Sequence, residues 1–239
     1  MPIIFDRRGV TLHHADALDV VAAMPTESVA LIATDPPYGQ EWQSNRRAVA
    51  FDQLLGDGAH ERDDIATVLT HCVRVVGQNR HLYVFGPDDV LAGLKISEPA
   101  SLIWDKGTMG GGDITAPWGP QHEPITFAVS KHRHAGKSGA SSVPARLRKG
   151  SILTYPRPTG RKVRHPSEKP VGLLRELIES SSRQGETVLD PYAGTGSTGV
   201  AALLANRYAV LVELDEATAH ATRERLTAAA DIADRIDTA

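Results

Sequence analysis

The sequence predicts an α/β fold: one domain built on a mostly parallel, twisted sheet with helices on both faces. Three observations predict it. Short apolar runs of strand length alternate with stretches of helical spacing. Some of these runs, such as SVALIAT at 28–34 with its unbroken apolar stretch from Val29 to Ala33, lack alternation, as expected of a strand covered on both faces. The C-terminal third reads strand, turn, helix, strand, helix, which is the signature of parallel strands joined by crossover helices. With 239 residues, 41% of them hydrophobic, the chain suffices for one substantial core.

Taken in order, VTLHHAD is a short strand ending at Asp16, and ALDVVAAM is helical and stops at Pro25. SVALIAT is the buried strand. Residues 39–60 are polar and irregular. DDIATVLTHCVRVV is an amphipathic helix with an acidic start, and HLYVFG is a strand. SLIWDKG and PITFAV are two more strands, flanking a Gly/Pro-rich loop over 107–121. Residues 131–164 carry little periodicity and read as an exposed excursion. VGLLRELIESS is a strong amphipathic helix. ETVLDPY, GSTGVAALLAN, YAVLVEL and EATAHATRERLTAAADIADRI close the chain as strand, helix, strand and helix.

Composition narrows the function classes. A single cysteine, Cys72, permits no internal disulfide and no Cys-x-x-Cys site; it reads as a small buried hydrophobe. His13, His14, His132 and His134 are too scattered for a metal centre, so no metal is expected. The N-terminus lacks an apolar signal core and no stretch reaches membrane-spanning length, so an intracellular protein without a membrane partner is expected. The net charge of −3 hides an asymmetry. Residues 131–170 hold eleven Lys or Arg against one acid, Glu168. A basic block in an otherwise acidic chain is either a solvated loop or a local contact with a polyanion.

Two motifs carry chemistry. In ETVLDPYAGTGSTGVAALLA, Gly194, Gly196 and Gly199 follow a strand and open a helix. Glycines there let backbone approach a ligand, and the helix start offers N–H groups to an anion. No Gly-Lys-Ser/Thr follows, so this is not a Walker loop. The next strand ends in Glu213, 23 residues after Asp190, where an acid can accept both ribose hydroxyls of an adenosine. NAD, ATP and S-adenosylmethionine (SAM) all satisfy this pattern.

The second motif is ALIATDPPYGQEW. A buried strand ends in Asp35, two prolines stiffen the turn, and Tyr38 offers a flat ring. A rigid acceptor beside a stacking ring suits a planar base with an exocyclic amine. That lone pair is delocalised into the base, and acceptors that draw the amine toward tetrahedral geometry free it for attack.

DPPYG together with DPYAGTGSTG resembles the amino-methylating DNA methyltransferases, which modify adenine N6 or cytosine N4 with SAM. TLHHADALDVVAAMPTESVALIATDPPYG, HCVRVVGQNRHLYVFG, LIWDKG, HEPITFAV and RHPSEKPVGLLRELIESS match further segments in order. The likeness covers nearly the whole chain except about 131–160. The catalytic turn precedes the cofactor turn, as in the circularly permuted β class. The resemblance implies a Rossmann-like SAM-dependent methyltransferase domain with permuted motif order over 1–239, in which 131–164 is a short DNA-contacting, target-recognition insertion.

Its implications fall on particular residues. Asp35, Pro36, Pro37 and Tyr38 would form the catalytic turn, with Tyr38 stacking on a flipped base. Asp in the first position favours adenine over cytosine. Asp190, Pro191, Tyr192, Ala193, Gly194, Thr195 and Gly196 would bind SAM, with Ser197 and Thr198 near its methionine end and Asp35 also facing the cofactor. Glu213 would hold the ribose, and Asp16 and Ala17 would sit by the cofactor adenine. Ser167, Lys169 and Pro170 match the segment that closes over the methionine carboxylate. Arg146, Arg148, Lys149, Arg161, Lys162 and Arg164 would contact phosphates of double-stranded DNA, giving affinity and register rather than sequence.

Tyr192 stands where the family commonly has Phe, and Gly77-Gln78-Asn79-Arg80 replaces a usual Gly-Gly turn. The recognition region is short, which points to a short or relaxed target. Trp104 reads as core, Trp42 lies where a flipped-base pocket would be, and Trp118 sits in the Gly-rich loop. The expected reaction is therefore adenine-N6 methylation of DNA, by a monomer or a homodimer. The alternatives are cytosine-N4 or RNA methylation, a non-catalytic SAM-binding DNA-associated protein, and an NAD-dependent oxidoreductase. The last would place its glycine turn near the N-terminus.

Overall fold

A computed structural model describes residues 2–37, 61–86, 88–97, 99–109, 117–130, 149–158 and 168–237. Nine strands form one sheet: β1 (Ile3–Arg7), β2 (Val10–His14), β3 (Val29–Thr34), β4 (Val76–Phe85), β5 (Ala100–Asp105), β6 (His122–Val129), β7 (Ile152–Thr154), β8 (Thr187–Asp190) and β9 (Tyr208–Glu213). Their spatial order is β1-β2-β9-β8-β3-β4-β6-β5-β7. The central strands β2, β9, β8, β3 and β4 are parallel, and antiparallel pairings occur at β1–β2, β4–β6 and β6–β5.

Helices cover both faces, as the sequence predicts. On one face α1 (Ala17–Ala23) and α2 (Glu61–Val75) bury Val21, Leu69 and Cys72 against Ile32, Leu82 and Leu189. Burial of Cys72 raises its thiol pKa well above the usual range and keeps it inert. On the other face α3 (Val171–Ser181), α4 (Ser197–Leu204) and α5 (Glu216–Asp237) pack Leu174, Ala202 and Leu226 on Leu31, Val188 and Leu211. All six residues of β3 are buried, which is why its sequence lacks alternation.

Three features depart from the sequence reading. β1 is an unforeseen edge strand. Arg8 and Gly9 join it to β2 with φ of 54° and 74°, the two-residue hairpin turn whose twist suits flanking strands. The Gly77–Arg80 turn lies inside the span of β4. Val29 pairs with Val76 and Leu31 with His81, so the extra residues bulge around Asn79 at φ 57°. The segment 131–164 is not wholly an exposed excursion, because β7 within it pairs in parallel with β5. Within that segment 131–148 and 159–164 lie outside the described residues, as do 39–60 with Trp42.

The order of strands positions the site. From β3 the chain moves outward to β4; from β8 it moves the other way, to β9. β3 and β8 are neighbours, so the sheet reverses direction between them, and open α/β sheets place ligands at the carboxyl ends of such strands. Thr34, Phe85, Asp190 and Glu213 all end their strands at this edge.

Candidate active site

The glycine turn is built around a buried acid. Asp190 closes β8 and accepts from Thr34 Oγ1 at 2.8 Å, from Thr198 Oγ1 at 2.6 Å and from Tyr192 N at 3.2 Å. Burial pushes its pKa up to about 6 despite these donors, and the nearby Asp35 charge adds to the rise. Asp190 thus organises the turn rather than reaching outward. Thr198 is spent on it, and Ser197 Oγ accepts from Arg225, so both expected methionine-end residues have their side chains turned inward.

Beyond Asp190 the chain turns through Ala193, whose N–H donates to Val212 O at 2.9 Å. Gly196 caps α4 at φ 76°, a conformation that side chains resist. A carbon built on Gly199 would sit 2.4 Å from Leu211 Cδ1 and 2.8 Å from Leu226 Cδ2, so its bare backbone lets α4 press against β9 and α5. Thr222 and Arg225 of α5 hold the turn from behind. Thr222 donates to Gly194 O at 2.6 Å, and Arg225 Nη1 donates to Thr195 O at 3.0 Å.

Glu213 faces the turn from the next strand. One carboxylate oxygen accepts from Gly194 N and the other from Asp215 N, each at 2.9 Å. Burial pushes its pKa up to about 7. A carboxylate has about four lone-pair positions, so two bonds leave capacity for two more donors. A carbon built on Gly194 would meet nothing within 4 Å, so the turn opens onto space. Ala15 N donates to Glu213 O at 3.1 Å, which puts Asp16 and Ala17 beside the same strand end. Asp16 also caps α1 through Leu18 N. An acid with spare acceptors, an open turn and a helix start fit an adenosine bearing an anionic tail.

The acidic turn after β3 adjoins this cradle. Lys169, just before α3, places Nζ 2.6 Å from Asp35 Oδ2 and 3.2 Å from Glu123 Oε2. Lys106 Nζ holds Glu123 Oε1 at 2.6 Å. Lys169 lies over the rings of Phe85 and Trp104, at 5.1 and 5.9 Å from their centroids. Burial works to lower the Lys169 pKa, but Asp35 and Glu123 outweigh it and hold the ammonium charged above its ordinary value. For Glu123, burial works upward and the two lysines outweigh it, so its carboxylate stays ionised. Trp104 is 2% exposed, and Lys106 stacks on it at 5.1 Å, which agrees with the core reading.

Of the residues singled out from sequence, the fold brings together Asp16, Ala17, Asp35, Pro36, Pro37, Lys169, Pro170, the 190–198 turn and Glu213. Pro170 is buried and caps α3. Lys149 stands apart, paired with Glu176 of α3. Tyr38, Ser167, Arg146, Arg148, Arg161, Lys162 and Arg164 lie outside the described residues. Sequence reasoning missed Thr34, Lys106, Glu123, Glu168, Thr222 and Arg225. Glu168 pairs with Arg225 at 2.7 Å, so the segment before α3 is fastened to the arginine that braces the glycine turn. No three described His, Cys, Asp or Glu residues group as metal ligands, and no described helix is long and apolar enough to cross a membrane.

Fold and site together define a nucleotide-binding α/β protein of the Rossmann-like class with a second, acidic turn beside the binding loop. Residues 29–224 match the model of the N6/N4 DNA methylases, and the chain belongs to that family. The DNA adenine methyltransferase YhdJ of Escherichia coli K12 is 25% identical over 247 residues, covering 90% of this chain and 81% of YhdJ. The M1.HpyAVI–SAM complex superposes with a TM-score of 0.65 at 19% identity, covering 90% of this chain and 98% of that one. The cytosine-N4-specific PvuII DNA methyltransferase gives 0.65 at 15% identity, over 94% and 92%. The proteins this chain is similar to thus include one named as an adenine and one as a cytosine-N4 methyltransferase.

Proposed function

We propose that the protein methylates the exocyclic N6 of adenine in double-stranded DNA, using SAM, on a base turned out of the stack. The observation that carries the reading is the adjacency of the two turns. Thr34, one residue before Asp35, bonds Asp190 under the glycine turn, so a base amine held at Asp35 meets a donor held at Gly194–Gly196 and Glu213. When bound, the cofactor supplies an electrophilic methyl group whose C–S bond pair returns to sulfur as the amine forms the C–N bond.

The residues of the chain do the positioning. Glu213 takes the ribose hydroxyls on its remaining lone pairs, and Asp16 and Ala17 border the adenine end. The start of α4 faces the anionic tail. Asp35 accepts from the N6 amine and draws its lone pair out of conjugation; Pro36 and Pro37 keep that acceptor stiff. Tyr38 stacks on the flipped base. The proton lost from N6 leaves to Asp35 or to water.

Adenine is preferred over cytosine because Asp, not Ser, opens the DPPY turn. DNA contact is assigned to the basic block 131–164, whose charge suits phosphates. The test is product analysis. Wild-type protein and labelled SAM are given unmethylated duplex DNA, single-stranded DNA or RNA, and each product is digested to nucleosides. N6-methyladenine from duplex DNA is expected. N4-methylcytosine would correct the base, and label in RNA alone would overturn the reading.

A further inference from the structure

Four charged side chains meet beneath the acidic turn, and the motifs account for only two of them. They alternate in sign from Lys106 to Glu123, Lys169 and Asp35, with contacts of 2.6, 3.2 and 2.6 Å. The string draws on four separate stretches. Asp35 follows β3, Lys106 follows β5, Glu123 lies in β6 and Lys169 precedes α3. The antiparallel register that sets Trp104 opposite Glu123 is what brings Lys106 to it. Phe85 and Trp104 wall the string, and the side chains of Lys106 and Lys169 are only 4% and 11% exposed. Water therefore screens the two ammonium groups little, while Glu123 and Asp35 keep partial exposure, and the balance of charge around the lysines matters.

In the proposed reaction positive charge grows on the base amine beside Asp35. An ammonium 2.6 Å from that carboxylate opposes such growth unless its own charge is offset. Glu123 supplies the offset. Without it, two lysines face one carboxylate, and Arg157 lies near enough for its charge to bear on Lys106 as well.

We infer that Glu123 is a positioning residue for methyl transfer: gripped by Lys106 and Lys169, it offsets the Lys169 charge and seats that ammonium on Asp35. The inference rests on the methyl-transfer reading and extends it to residues outside the two motifs. Glu123 acts through Lys169. Its loss is expected to lower kcat while leaving KM for DNA and SAM affinity little changed.

The experiment is a double-mutant cycle of Glu123→Gln, Lys106→Met and the pair. Each protein is read by kcat, KM for DNA, SAM affinity and melting temperature without ligand. Glu123→Gln is expected to lower kcat about 10–100-fold, the range for a misplaced catalytic group. It should lower the melting temperature by roughly 5 °C, since it leaves a partly buried cation poorly matched. Adding Lys106→Met removes a cation where an anion was lost. The pair is expected to regain at least half of each loss on a logarithmic or linear scale respectively, and the loss in kcat at unchanged KM and SAM affinity is the readout that a merely structural role for Glu123 would not give. An active wild type with Glu123→Gln within threefold of it, or a pair no better than the single variant, would overturn the inference alone. A wild type that leaves DNA unmethylated would overturn the functional reading and this one with it.

Discussion

Thr34 donates its hydroxyl proton to Asp190 Oδ1 across 2.8 Å, joining the ends of two neighbouring strands that are 156 residues apart in sequence. The bond is buried. It fixes the acidic turn that follows Thr34 against the glycine turn that follows Asp190. The acidic turn and the glycine turn are thereby joined at their strand ends, where the pairing of β3 with β8 already holds them side by side.

Replacing Asp190 with Ala leaves Thr34, Thr198 and the Tyr192 amide without this acceptor. Orphaned buried donors cost about 1–3 kcal/mol each, and relief from burying a carboxylate offsets part of that. A net loss of about 3 kcal/mol is expected in chemical unfolding, with SAM binding lost. Asp190→Asn keeps the shape and one acceptor, and should lose less. Equal stability of Asp190→Ala and wild type would refute this role.

With Glu213 as the proposed ribose acceptor, cofactor binding is expected to depend on pH. Burial raises its pKa from 4.5 in an exposed chain to about 7 in the fold. The folded state then binds the extra proton between these values, so this group's stabilising contribution is full below about pH 4.5 and lost as pH rises through 7. Asp190 acts in the same direction, from 3.8 to about 6. Ribose hydroxyls need the ionised acceptor, so SAM affinity should fall about tenfold per pH unit below 7. Calorimetry at pH 6, 7 and 8 should show this slope in wild type. Glu213→Gln should bind weakly with no slope; an unchanged slope would remove Glu213 from the ribose site.

Arg225 ties three segments together. It bonds Thr195 and Ser197 in the glycine turn and pairs with Glu168 ahead of Lys169. Arg225→Met keeps much of the stem packing and removes the guanidinium. It should cost roughly 2–3 kcal/mol of stability and weaken SAM binding at least tenfold, because turn and strap lose their common brace. Unchanged SAM affinity in a folded Arg225→Met protein would show that the brace is structural only.

Much of this was legible because the informative signals are local. β3, β8 and β9 announce themselves as apolar runs ending in Thr34, Asp190 and Glu213, and the order of DPPY before DPYAGTG is read along the chain without knowledge of packing. What escaped depends on contacts distant in sequence. The Glu123–Lys106 pair follows from the β5–β6 register, and Arg225 is one charge among many on an amphipathic helix until α5 is laid against the turn. β7 has three residues, too few to show a period. β1 was foreshadowed only by a glycine in its two-residue turn.

The most direct test of the central claim compares methyl transfer by wild type and Asp35→Ala on the same unmethylated duplex, with products digested to nucleosides. N6-methyladenine is expected from wild type, with a loss of at least about 100-fold in Asp35→Ala, the scale for removing a group that stabilises developing charge. Equal N6-methyladenine from both proteins would contradict that claim, since the amine would then be activated without the acidic turn.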